Sequence, residues 1–145
     1  MPKVEYTNSK GLVQKTGTGG ININQGRLRR VLSVTDVDAR HNTEVTAAQI
    51  NGGIVVHTSV TGAGNVTFTD AANIISGCSL DTDGQCIKLY YINDGNQTLT
   101  LADSSGGDTT IADTGNTILE NEAAILLIRR TSATACKVFQ LSSTS

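Results

Sequence analysis

The chain has 145 residues, a formal net charge of −2, fifteen Gly, one Pro, three Cys and two His, with three Tyr and two Phe as its only aromatics. That length is one domain's worth and suffices for a core without metal or disulfide staples. The net charge alone predicts no partner, but RLRR (27–30) with no nearby aromatic beyond Tyr6 and an acidic remainder argue against a nucleic-acid binder, and no apolar run approaches the roughly 18 residues of a membrane helix.

The abundance of Thr, Ser, Asn, Asp and Gly favours β-structure with many turns. With aromatics so scarce, Ile, Leu and Val must fill a thin core, and burial between identical subunits is the natural supplement. The opening MPKVEYTNSK has no apolar stretch of the kind that directs secretion, so a cytosolic product with free thiols is expected. A Cys78–Cys86 bridge across CSLDTDGQC is geometrically compatible with a hairpin and stays open as an alternative.

Residues 1–40 read as an extended N-terminal arm. The segment is polar and Gly-rich, with short apolar touches at Leu12, Val13, Ile21 and Ile23. It holds seven basic residues (Lys3, Lys10, Lys15, Arg27, Arg29, Arg30 and Arg40) against Glu5, Asp36 and Asp38, about +4; residues 41–145 hold four against ten, about −6. A basic arm ahead of an acidic body suits docking on an acidic surface. The stretch 28–39 is either a first strand or the end of the arm.

From residue 41 onward, turn signals recur every 8 to 12 residues (NGG, TGAG, NDGN, SSGGD, DTG). They delimit expected strands at 44–50, 53–60, 64–69, 85–93, 96–102, 108–112, 116–120, 122–130 and 135–141. Only 70–77, DAANIISG, reads as helical, with Asp70 as N-cap and Gly77 as C-cap. The run Ala123–Ile128 is apolar without a break, which predicts a strand buried on both faces. TSAT then turns the chain into an antiparallel partner at 135–141.

The expected fold is therefore all-β: an antiparallel β-sandwich or jelly roll of about eight or nine strands over 41–145, with one short helix. A parallel β-helix is the main competitor, disfavoured because no fixed-period repeat is visible.

Chemistry-bearing motifs are few. His41 and His57 stand in no metal or nucleophile spacing, and GTGG (17–20) and GAG (62–64) lack the frames that cradle phosphate. DTDG (81–84) fails as an EF-hand, because with Asp81 and Asp83 at the third and fifth positions Tyr90 falls at the twelfth, where Glu is required. Asn65 and Asn96 open glycosylation-type triplets, read as coincidence in a chain without an export signal. No catalytic residue, cofactor or metal is expected. Arg129 and Arg130 close an apolar strand, so each must reach solvent or a carboxylate, the latter making them candidate subunit-interface residues.

Four segments carry a resemblance: YTNSKGLVQKTGTGGINI, TSVTGAGNVTFTDAANIIS, YINDGNQTLTLA and AAILLIRRTSATACKVFQL. Together they resemble small virion structural proteins of tailed phages, especially marine and environmental ones. The resemblance covers about 45–141 with the opening as a second anchor, and departs from the pattern at GCSLDTDGQC. It implies a capsid decoration (cement) protein or head-fibre base, made in the host cytoplasm and carried on the capsid surface. It further implies a homotrimer similar to tumour-necrosis-factor-like trimers, with DAANI as the short helix and Ile125, Leu126 and Leu127 as the inner strand. The partners so implied are the protein itself and the major capsid protein, the latter contacted by Lys10, Leu12, Val13, Lys15, Ile21, Ile23, Arg27, Arg29 and Arg30. A receptor- or glycan-binding head of a phage fibre is the alternative.

Overall fold

A computed structural model describes four short strands in the first 31 residues, then residues 32–58, 60–112 and 116–144, with side chains to 141. The chain divides into two units, Met1–Val31 and Leu32–Ser145. In the first, β1 (Val4–Thr7) pairs antiparallel with β2 (Gly11–Gln14), and β3 (Ile23–Asn24) with β4 (Arg27–Leu28). The segment expected as an extended arm thus carries two short hairpin pairings. The second unit starts earlier than residue 41, because 33–38 belong to one of its sheets.

That unit is mostly β. Its strands are β5 (Ser33–Asp38), β6 (Thr43–Val45), β7 (Gly53–Thr58), β8 (Gly64–Phe68), β9 (Cys86–Asp94), β10 (Leu99–Leu101), β11 (Thr109–Ile111), β12 (Thr117–Ile118), β13 (Ala123–Ser132) and β14 (Ala135–Thr144). Two short helices, α1 (Ala47–Gly52) and α2 (Ala71–Gly77), join them. A six-stranded sheet runs β11-β14-β13-β9-β7-β5 and a four-stranded sheet runs β12-β10-β8-β6.

Both sheets are mixed, which corrects the purely antiparallel expectation. β5 with β7, β7 with β9, β6 with β8, β8 with β10, and β11 with β14 are parallel. The reason lies in the connections. From β5 to β13 successive strands alternate between the two sheets, so a turn carries the chain across the gap rather than back along the same sheet. Most strands then meet their sheet neighbour only through the other sheet, the kind of long connection that parallel pairs require, although β9 with β13 and β10 with β12 are antiparallel across such connections. The hairpin expected at the end does form: β13 pairs antiparallel with β14 and, on its other side, with β9.

A second correction concerns 44–50, expected as a strand. Only Thr43–Val45 is extended, and Thr46 then opens α1 with a reciprocal capping box: the Gln49 N–H donates to the Thr46 hydroxyl at 3.3 Å, and the Thr46 N–H donates to Gln49 Oε1 at 2.8 Å. Gly53 ends it at φ 91°, a left-handed conformation that glycine adopts without strain. In α2, Asp70 holds the N-cap position but its side chain makes no capping bond, and the C-cap is Cys78 rather than Gly77.

One core lies between the sheets. The six-stranded sheet contributes Val55, Leu89, Tyr91, Leu126, Ile128 and Val138, the four-stranded sheet Val45, Val66, Phe68, Leu99 and Ile118, and the helices Ile50, Ala71 and Ile74. Phe68 and Tyr91 are the only aromatics in it, as the composition required.

Candidate functional site

Catalytic chemistry needs titratable groups that face an approachable space, so we followed each such group to its partners. His57, on β7, is fully buried. Its Nε2 lies 2.9 Å from the Ala39 carbonyl oxygen and its Nδ1 lies 2.8 Å from the Tyr91 hydroxyl. Burial holds the imidazole below its usual pKa of 6.5, the Ala39 bond only partly offsetting it, and burial likewise pushes the Tyr91 phenol up. Asn93, also fully buried, donates from Nδ2 to the carbonyls of Gln97, Ile118 and Leu119 and accepts the Gly95 N–H at Oδ1. These groups tie loops to the sheet.

Asp108 serves α2 from outside the helix. The Ser104 hydroxyl, donating at 2.9 Å, is the main influence holding its carboxyl below the usual range. The backbone N–H groups of Ala71, Asp108 and Thr109 add to the effect, against an opposing influence of burial.

The two arginines part company. Arg130 points inward, with its side chain 14% exposed; Nε lies 2.9 Å from Asp83 Oδ1 as an ion pair and donates to the Ser132 carbonyl at 3.1 Å, and Nη1 donates to the Leu80 carbonyl at 2.6 Å. It finds its carboxylate within its own chain, in the DTDG loop that had suggested calcium. Arg129 is exposed on the opposite face of the strand. Among the described residues no group of three or more His, Cys, Asp or Glu is placed to hold a metal, and no helix is long and apolar enough to cross a membrane.

All three cysteines are free, so Cys78 and Cys86 are not bridged. Cys86 is exposed, Cys78 partly buried, and Cys136 buried, its thiol pushed up to about 11 chiefly by that burial.

Of the arm residues singled out from sequence, Leu12 and Val13 pair with Tyr6 and Glu5, Ile23 with Leu28, and Arg27 with Asn24. Lys10, Lys15, Ile21, Arg29 and Arg30 lie outside the described residues.

What remains is a surface. Because side chains alternate along a strand and register partners share a face, the pairing defines rows across the outer face of the six-stranded sheet. The central row is Ile125, Tyr90, Ile54 and Val34. On one side of it lie Phe139, Leu127 and Lys88, and beyond them Lys137, Arg129 and Cys86. On the other side lie Ala123, Ile92, Val56 and Asp36, and beyond them Asp94, Thr58 and Asp38. Every apolar member is partly exposed or exposed, Val34 at 59%, and neighbouring Leu141 at 55%.

The outer face of the four-stranded sheet is the opposite in character: Glu44, Asn65, Thr67, Thr100 and Thr117. Two layers built from one sequence thus turn a polar face one way and an apolar face with charged ends the other.

None of the apolar-face residues beyond Ile125 and Leu127 was singled out from sequence. The available signal was the lack of alternation in Ile54–Val56, Leu89–Ile92 and Ala123–Ile128, the mark of strands covered on both sides. Ile125 and Leu127, expected to be buried, are covered by no described element of this unit, whereas Leu126 is fully buried between the sheets.

Comparison with protein-family models, with curated proteins and with solved structures returned no match.

Proposed function

We propose that this protein is a non-enzymatic structural subunit of a virion: a capsid decoration protein that assembles as a homotrimer on the outside of the capsid lattice and stabilises it. The observation that carries the non-enzymatic, assembling part is the contrast just described. His57, Tyr91, Asn93, Asp108 and Arg130 are spent on internal bonds, while the outer face of the six-stranded sheet presents a contiguous, partly exposed apolar band. Flat apolar faces bind other proteins, whereas small-molecule sites are concave.

The virion context rests on the resemblance of the four sequence segments. In this reading the two facing sheets act as a sandwich-type body, a variant of the jelly-roll design in which parallel pairs replace some hairpins. The first 31 residues, with Lys10, Lys15, Arg27, Arg29 and Arg30 as their charge and Leu12, Val13, Ile21 and Ile23 as their apolar contacts, dock on major capsid subunits. Many copies on one shell let modest individual contacts resist internal pressure, and three identical segments reach three lattice neighbours at once.

The test is co-sedimentation with purified phage shells. Full-length protein is expected to pellet with shells, and a variant lacking residues 2–27 to remain folded by circular dichroism and stay in the supernatant. Equal binding by the two would remove the N-terminal segment from the reading, and hydrolysis of a surface glycan by the purified chain would overturn the reading as a whole.

A further inference from the structure

The outer face of the six-stranded sheet has a direction. Its middle is apolar, one end carries Arg129 and Lys137 on β13 and β14, and the diagonally opposite end carries Asp36 and Asp38 on β5. Arg129 and Lys137 are register partners, so their charges sit side by side, and Asp36 and Asp38 are two apart on one strand and point the same way. A single chain gains nothing from this arrangement, because the ends are separated by the width of the sheet, beyond the ~8–10 Å over which exposed charges act at ordinary salt.

The size is also informative. The three apolar rows span about 20 Å across five strands at about 4.8 Å spacing, roughly 450 Å² in projection, and the charged end rows bring the whole face to roughly 700 Å². The apolar part is within the ~300–600 Å² of the largest, often functional, patch on a monomer, and the whole face is close to the ~800 Å² that each partner contributes to a standard stable interface.

We infer that this face is the surface through which copies of the chain meet, the Arg129–Lys137 end of one copy lying on the Asp36–Asp38 end of the next. A second copy fits better than an unrelated partner because the face supplies both halves of its own charge complement. It also supplies the missing second covering of strands whose sequences carry no alternation, since Ile125, Leu127 and Tyr90 of one copy would pack on the same band of its neighbour. That complementarity is met by a two-fold pair with the ends reversed or by a closed head-to-tail ring, and the ring of three follows from the assembly reading above. The apolar band provides the affinity, and the charged ends fix the order and reject the arrangement that sets like ends together.

The inference rests on the assembly reading above and deepens it by naming the interface. Its test uses the full chain and light scattering behind a sizing column. The wild type is expected at about three times the 15.1 kDa subunit mass. Leu127→Lys, on the apolar band, and the charge reversal Arg129→Glu with Lys137→Glu are each expected to weaken association by at least about tenfold with circular dichroism unchanged. The reversal Asp36→Lys with Asp38→Lys is expected to do the same. All four reversals in one chain restore complementarity and the wild-type mass, an outcome that general loss of stability does not produce. Thr100→Lys, on the polar sheet, is expected to leave the mass unaltered.

A wild type that stays monomeric at all concentrations overturns the inference. So does an oligomer indifferent to Leu127→Lys and to both reversals, or one broken by Thr100→Lys. The last two outcomes leave the capsid reading intact, because shell co-sedimentation is scored separately.

Discussion

Tyr91 donates its hydroxyl proton to His57 Nδ1 across 2.8 Å, and the direction of that bond is fixed by Ala39. A carbonyl can only accept, so Nε2, 2.9 Å from the Ala39 oxygen, must carry the ring proton, which leaves Nδ1 as the acceptor. The pair joins β9, β7 and the chain just beyond β5 through one neutral imidazole. Removing the hydroxyl with Tyr91→Phe strands a buried acceptor, and we expect a loss of about 1–2 kcal/mol in urea unfolding.

The same imidazole predicts a pH dependence. Its folded-state pKa is lowered below 6.5, so on acidification the unfolded chain takes up the proton first. Stability from this group is therefore complete above about pH 6.5 and falls as the pH drops toward the folded value. Melting temperature should decline as the pH is lowered below about 6.5 in the wild type and flatten in His57→Gln. Equal slopes would contradict the assignment. Asp108, whose carboxyl is held low, adds a separate loss only below its ordinary 3.8, as the pH falls through its folded value.

Arg130 anchors the loop 80–84 to β13. Asp83 is 59% exposed, so Asp83→Asn should cost at most about 0.5 kcal/mol. Arg130→Met removes the bonds to Leu80 and Ser132 as well and should cost about 1.5–3 kcal/mol. If the two substitutions proved equal in chemical denaturation, the ion pair would dominate and the carbonyl contacts would be incidental.

Gly64 opens β8 against the backbone of His41. A Cβ placed there would lie 2.4 Å from the His41 carbonyl carbon and oxygen, and backbone cannot swing aside as a side chain can. Gly64→Ala should destabilise by about 2 kcal/mol or more, read as a fall in melting temperature. Gly84, by contrast, has nothing within 4 Å of such a Cβ.

The thiols should separate cleanly by rate. Cys86 is exposed, while Cys136 is buried with its thiol raised to about 11. Ellman's reagent at pH 8 should label Cys86 in the native protein well before Cys136. Cys86→Ser should abolish the fast phase.

Much of the strand inventory was legible in the sequence, because β-branched runs between Asn, Asp and Gly clusters mark strands whatever their partners. The final hairpin and the short α2 could be read in the same way. The order of pairing could not be read. A turn such as TGAG looks alike whether it folds a strand back on its neighbour or carries it to the other sheet, and here it does the latter. The helix α1 was legible but overlooked: Thr46, Gln49 and Gly53 stand at the spacing of a capping box with a glycine terminus, and the preceding Val45 drew the whole segment into a strand. At the surface, the unbroken apolar run at 123–128 announced a second covered face. Which neighbour covers it is not encoded locally, because the covering element need not belong to the same chain.

β14, the last of the described strands in chain order, lies between β11 and β13 rather than at the rim. β11 has no place in the six-stranded sheet until β14 arrives to carry it, so the nascent protein keeps an open gap beside β13 until β14 has emerged. Closure of the body thereby waits on β14, and a copy truncated before that strand exposes β13 as a sticky edge.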